Sequence, residues 1–223
     1  MRSKQHRLTV AFYLGIGVAF TTLLLKDPST KRALADSAAG NPWKDASVAL
    51  WASSMILLTL AVVGVRVVFA LPVDLRANWL FQVTGRRTGA ETLASARRPL
   101  LPISVVPLWV VSACFCIGLW PSWQSVGHIV ALGLMGLIAG ELCLTRFRKI
   151  PFACSYLAGK SRIHIVFMGA FGLLLGSVRL ALFEREAFKE LKTAVGWTAL
   201  LLLLACGSRR HVQVCRHRRR NAI

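Results

Sequence analysis

Apolar residues fall in six long runs, separated by short polar stretches rich in arginine. The runs cover Leu8–Leu25, Ser47–Leu71, Leu100–Trp120, Gln124–Thr145, Ile163–Phe183 and Leu191–Ser208. Each is near the ~18–20 residues that carry a helix across a bilayer. The sixth has a short apolar core, and Lys192 must snorkel to the headgroups. The pattern predicts an all-α polytopic bundle of six transmembrane helices in a single integral membrane domain over residues 1–223. MRSKQHR before the first run resembles a signal-peptide leader. The run behind it is long for such a peptide, and the nearest small-residue cleavage motif, Ala33-Leu34-Ala35, lies beyond Lys26, Asp27, Lys31 and Arg32. An uncleaved anchor is the expectation.

Composition agrees. Hydrophobic residues make up 55% of the 223-residue chain, and the mean hydropathy is +0.57. The net charge of +19 would suggest nucleic acid in a soluble protein. Here most of the basic residues lie between the apolar runs, where membrane topology explains them, and no nucleic-acid partner is expected. Nineteen of the 28 Lys and Arg fall in the N-terminus, the loops after runs two and four, and the C-terminus; seven fall in the other loops. The excess marks the cytoplasmic side, so both termini are expected there, in a bacterial cytoplasmic membrane. Trp43, Trp51, Trp120 and Trp123 would then form an aromatic belt at the outer interface.

The loop 72–98 is the longest cytoplasmic segment between runs. Pro72 suits a first helical turn and Gly85 a stop. Between them Asp74, Asn78 and Gln82 recur every fourth residue as one polar stripe, while Leu75, Trp79, Leu80, Phe81 and Val83 cover most of the remaining circumference. This predicts an interfacial helix between spans two and three. A second helical stretch, GAETLASARR at 89–98, leads to Pro99. Such a loop serves either as a helical elbow or as a docking surface made of Asp74, Arg76, Asn78, Trp79 and Gln82.

The stretch LRANWLFQVTGRRTGAETLASARR, with six spans and cytoplasmic termini, resembles the permease subunit of ABC-2-type exporters. In that family the corresponding loop carries a coupling helix that meets a cytoplasmic ATPase. The resemblance implies a transport permease subunit with a separate ATPase partner, acting as a homodimer. The N-terminal segment and the loop EREAFKELK are both shorter than in that family. ANWLFQ and KIPFACSYLAGK are also similar to segments of uncharacterised bacterial multi-pass proteins. The alternative is a non-transport scaffold or accessory subunit without catalytic activity.

Within the runs, Arg66 and Glu141 lie at similar depth from the cytoplasmic boundary, ~6–8 Å at 1.5 Å per residue. They either form an intramembrane ion pair or snorkel separately. Gly136 and Gly140 form one GxxxG motif, and Gly172 and Gly176 another, so runs four and five are candidates to cross closely, or to self-associate. Pro107 is expected to bend run three.

Signals for chemistry are weak. Gly159-Lys160-Ser161 lacks the first glycine and the strand of a P-loop. His128 and His164 open runs at opposite faces, too far apart to share a haem. Cys114 and Cys116 point about 200° apart on a helix. Cys206, His211, Cys215 and His217 are irregularly spaced for zinc and surrounded by arginine. No catalytic constellation, metal site or cofactor is expected. The tail 209–223 carries Arg209, Arg210, Arg216, Arg218, Arg219 and Arg220 and suits anionic lipid headgroups at ~1 kcal/mol per residue.

The charge asymmetry makes a direct prediction. Alkaline phosphatase fused after Ile223 should be inactive in cells, because it folds only outside the cytoplasm, and a fusion within 184–190 should be active. The reverse pattern would invert the topology.

Overall fold

A computed structural model describes residues 4–28, 30–32, 35, 46–70, 89–119, 122–145 and 163–220, with residues 46–47, 70, 89–98, 119, 145, 163–171, 173–174 and 208–220 given by backbone alone. Among these the chain forms six long helices: α1 Lys4–Lys26, α2 Ala46–Ala70, α3 Gly89–Leu119, α4 Trp123–Thr145, α5 Ile163–Ala187 and α6 Leu191–Arg220. The all-helical expectation holds. Four of them, α1 to α4, contain stretches long and apolar enough to cross a membrane, and α6 has a shorter apolar stretch, Leu191–Gly207. These helices support a multi-pass integral membrane protein.

Helix α2 is the hub: it packs against α1, α3, α4 and α5, while α6 packs mainly on α4. Its apolar stretch is 72% buried, against 6% for that of α1. An apolar residue gains nothing by choosing protein over lipid, so close packing decides which helix is central. On α1 and α2 that packing is made by glycine. A Cβ on Gly64 would lie 3.0 Å from Tyr13 Cβ, and one on Gly17 would lie 2.9 Å from Leu57 Cδ2. The two helices therefore run antiparallel with their backbones close.

The α3–α4 pair is built similarly. Trp109 donates its indole N–H to the Ile129 carbonyl at 2.8 Å, and its ring lies over Gly133, where a Cβ would sit 3.0 Å from Nε1. A Cβ on Gly136 would lie 2.7 Å from Val105 Cγ1 and 3.1 Å from Leu58 Cδ2; one on Gly140 would lie 2.7 Å from Leu101 Cδ2. The first GxxxG motif thus seats α3 and α2. At Gly172 and Gly176, on α5, a Cβ would meet nothing within 4 Å among the described residues, and both α4 and α5 pack on α2. Most side chains around Gly172 lie outside the described residues, and with them the expected crossing of the two motifs.

Boundaries follow local chemistry. Ser122 caps α4, its hydroxyl accepting from the Ser125 amide at 3.3 Å. A three-residue turn, 188–190, joins α5 to α6; Thr193 donates toward the Ala187 and Glu190 carbonyls at 2.6 and 2.8 Å. Helix α3 does not stop at Pro99. It runs from Gly89 through Pro99, Pro102 and Pro107 as one element. Each proline removes one amide donor, whereas ending the helix in apolar surroundings would strand several. The tail is helical to Arg220, so the six tail arginines continue α6. The interfacial helix expected at 72–83 lies outside the described residues.

Leucine at Gly136 should overpack the junction of α2, α3 and α4 and cost about 1–3 kcal/mol, lowering the melting temperature in detergent. Leucine at Gly172 should leave it nearly unchanged.

Candidate functional site

The bundle has two polar levels. One end carries Trp51, Trp123 and the α5–α6 turn; the other carries Arg66 and the end of α4.

At the second level Arg66 of α2 donates from Nε to the Cys143 carbonyl at 2.9 Å. That carbonyl lies near the C-terminal end of α4, Trp123–Thr145. Glu141, two residues earlier on α4, is buried at 2% exposure. Sequence depth thus places Arg66 and Glu141 on neighbouring helices at one level, with the backbone carbonyl of Cys143 as a partner of the arginine.

The first level was not anticipated. It draws one side chain from each of three helices. His128 of α4 and Glu184 of α5 are both 0% exposed, and Ser54 of α2 is 7% exposed. His128 Nδ1 lies 3.1 Å from Glu184 Oε1, and His128 Nε2 lies 2.9 Å from Ser54 Oγ. Ser54 Oγ also lies 2.8 Å from the Trp51 carbonyl, three residues back on its own helix. Glu184 Oε2 is buried with no hydrogen-bond partner among the described residues.

Aromatic rings enclose this chain. Trp51 stacks on the His128 imidazole with ring centroids 4.8 Å apart and planes 4° from parallel. Phe188, from the α5–α6 turn, meets Trp51 edge-on at 5.8 Å and Trp123 at 6.0 Å. Phe188 is 1% exposed and presses against Gly127, one residue before His128. Glycine is needed there because any side chain would occupy the volume of the ring. Trp51, expected in an interfacial belt, is instead buried at 3% exposure, stacked on the His128 ring. Trp123 is 45% exposed, and Trp43 and Trp120 lie outside the described residues.

The arrangement has the order of a nucleophile, base and orienting acid. Acyl transfer also needs donors for an oxyanion. Ser54 sits eight residues into α2, where backbone amides are spent on the helix, so the constellation suits proton handling better than nucleophilic attack.

The other sequence-derived candidates are distributed as follows. Asp74, Arg76, Asn78, Trp79 and Gln82 lie outside the described residues. Arg209, Arg210, Arg216, Arg218, Arg219 and Arg220 lie on helical backbone of α6. Cys114 is exposed and Cys116 buried, as opposite faces of α3 require. No group of three or more His, Cys, Asp or Glu residues placed to hold a metal occurs among the described residues. Ser54, His128 and Glu184 were missed because 74 and 56 residues separate the bonded pairs. The available signal was a histidine and a glutamate each at one end of an apolar run. Comparison with known proteins finds no matching family model, curated protein or solved structure.

Phe188→Ala should cost about 3–5 kcal/mol, the range for truncating a buried aromatic ring, measured by chemical unfolding in detergent. A loss below ~1 kcal/mol would mean that Phe188 does not close the site.

Proposed function

We propose that the chain is a six-span, permease-like subunit of a membrane transport system, with both termini on the cytoplasmic side of a bacterial cytoplasmic membrane. A separate ATPase docks on the loop 72–98, through Asp74, Arg76, Asn78, Trp79 and Gln82, and the subunit works as a homodimer. The observation that carries the reading is the continuity of α3. Residues 89–98 of the loop and the apolar stretch after Pro99 belong to one helix, Gly89–Leu119. At 1.5 Å per residue those ten residues make a lever of about 15 Å. A partner that moves the loop would move α3, and through Trp109, Val105 and Leu101 it would move α4. The basic extension of α6 suits the anionic headgroups of the same face.

A non-transport scaffold or accessory subunit is the second reading. The enclosure of His128 and Glu184 favours it, since a closed polar core can serve to fix three helices in register.

Purification in mild detergent, with mass spectrometry of co-purifying proteins, separates the two. The permease reading expects a stoichiometric cytoplasmic ATPase, lost when Asp74, Asn78 and Gln82 are changed to alanine while the melting temperature is unchanged. Three glycines inserted after Leu93 should leave the ATPase bound and remove its stimulation by the subunit. Recovery of the chain alone, or with membrane subunits only, would favour the scaffold.

A further inference from the structure

The chain of groups at the first level runs from Glu184 Oε1 to His128 Nδ1, from Nε2 to Ser54 Oγ, and from Oγ to the Trp51 carbonyl, with gaps of 3.1, 2.9 and 2.8 Å. Both ends are acceptors: a carboxylate and a carbonyl. Between them stand an imidazole, which carries one or two protons, and a hydroxyl, which carries one. Three gaps can therefore hold three protons or two.

With three, every gap is filled. His128 Nε2–H donates to Ser54, Ser54 O–H donates to the Trp51 carbonyl, and the third proton lies between Nδ1 and Oε1. With two, the chain reverses. Nδ1–H donates to the carboxylate, Ser54 O–H turns to donate to Nε2, and the Trp51 gap empties. That last loss is small, because the carbonyl keeps the helical bond from the amide four residues on. No heavy atom has to move.

We propose that Ser54, His128 and Glu184 form a binding site for a single proton. Loading neutralises the site, as either an ion pair or a neutral acid and imidazole. Unloading leaves one negative charge inside an apolar enclosure, which favours arrangements of α5 that bring Glu184 to water. Glu184 lies within a turn of the end of α5, and its Oε2, buried without a partner among the described residues, is an acceptor ready for water or a proton. An imidazolium would in addition be held by the face of Trp51.

Among the described residues, the end of α1, which packs on α2, brings Lys26 and Asp27 to this end of the bundle. On α3, Cys116 is a buried thiol near the same end of the bundle. Arg185 and Glu186 follow on α5, and Lys189 of the turn is bonded to Glu186 at 2.6 Å on the surface. Glu190 and Lys192 are exposed. Helix α2 contributes Ser54 and Trp51.

The site does not depend on the permease reading, and failure of either leaves the other standing. The test is nitrogen NMR of the full chain, labelled with ¹⁵N-histidine in lipid nanodiscs, between ~pH 5 and ~pH 9. The His128 signals are identified by their loss in His128→Gln, or by their displacement in Ser54→Ala if the first variant does not fold. The proposal expects Nε2 to be protonated at the acid end and bare at the alkaline end, and expects that exchange to be lost in Glu184→Gln. A His128 ring in one protonation state throughout would overturn it. So would an exchange that persists unchanged in Glu184→Gln, since that is ordinary histidine titration.

Discussion

The structure turns on the cost of keeping Glu184 and His128 out of water. Either group alone, charged in an apolar bundle, would cost several kcal/mol. Paired at 3.1 Å, with Ser54 completing the imidazole's contacts, they become tolerable. That pairing requires α4 and α5 to lie against the same stretch of α2. The aromatic packing follows from the same requirement: Trp51 covers the imidazole face, Phe188 closes the end, and Gly127 leaves room for Phe188. A turn of only three residues between α5 and α6 then fixes where α6 starts.

Helix α2 connects the two polar levels. Ser54 and Arg66 lie twelve residues apart on it, about 18 Å along the axis. Each bonds to α4, one to His128 near its start and the other to the Cys143 carbonyl near its end. Between them Leu58 packs against Gly136. A shift of α4 along α2 would break both polar contacts and the packing between them. This two-point attachment gives the centre of the bundle a defined register, which lipid-like packing alone supplies poorly. The exposed residues on α1 and α3, among them Phe12, Leu23, Val111 and Phe115, fit a surface turned to acyl chains.

The helices were legible in the sequence because hydropathy reports length directly. Run two, expected at 47–71, is the helix Ala46–Ala70, and run four, expected at 124–145, is Trp123–Thr145. The start of α3 was less visible, since Pro99 reads as a stop when helix propensity is judged in water. The packing role of Gly136 and Gly140 was visible, but their partners were not. Motif spacing specifies a flat face and leaves open what lies on it. The site was hidden for a different reason. Its members come from three helices far apart in the chain, and each alone is an ordinary residue near the end of a run. Contact across helices, not spacing along one, creates the chemistry.

A double-mutant cycle on His128 and Glu184, followed by unfolding in detergent, bears most directly on this account. If the buried pair organises the bundle, His128→Leu and Glu184→Leu should each cost about 3–5 kcal/mol by stranding the partner. The double variant should then cost no more than either single one, a coupling at or above the ~0.5–3 kcal/mol seen for directly contacting residues. Two losses that simply add would contradict it, because the side chains would then contribute independently and the tie between α4 and α5 would not exist.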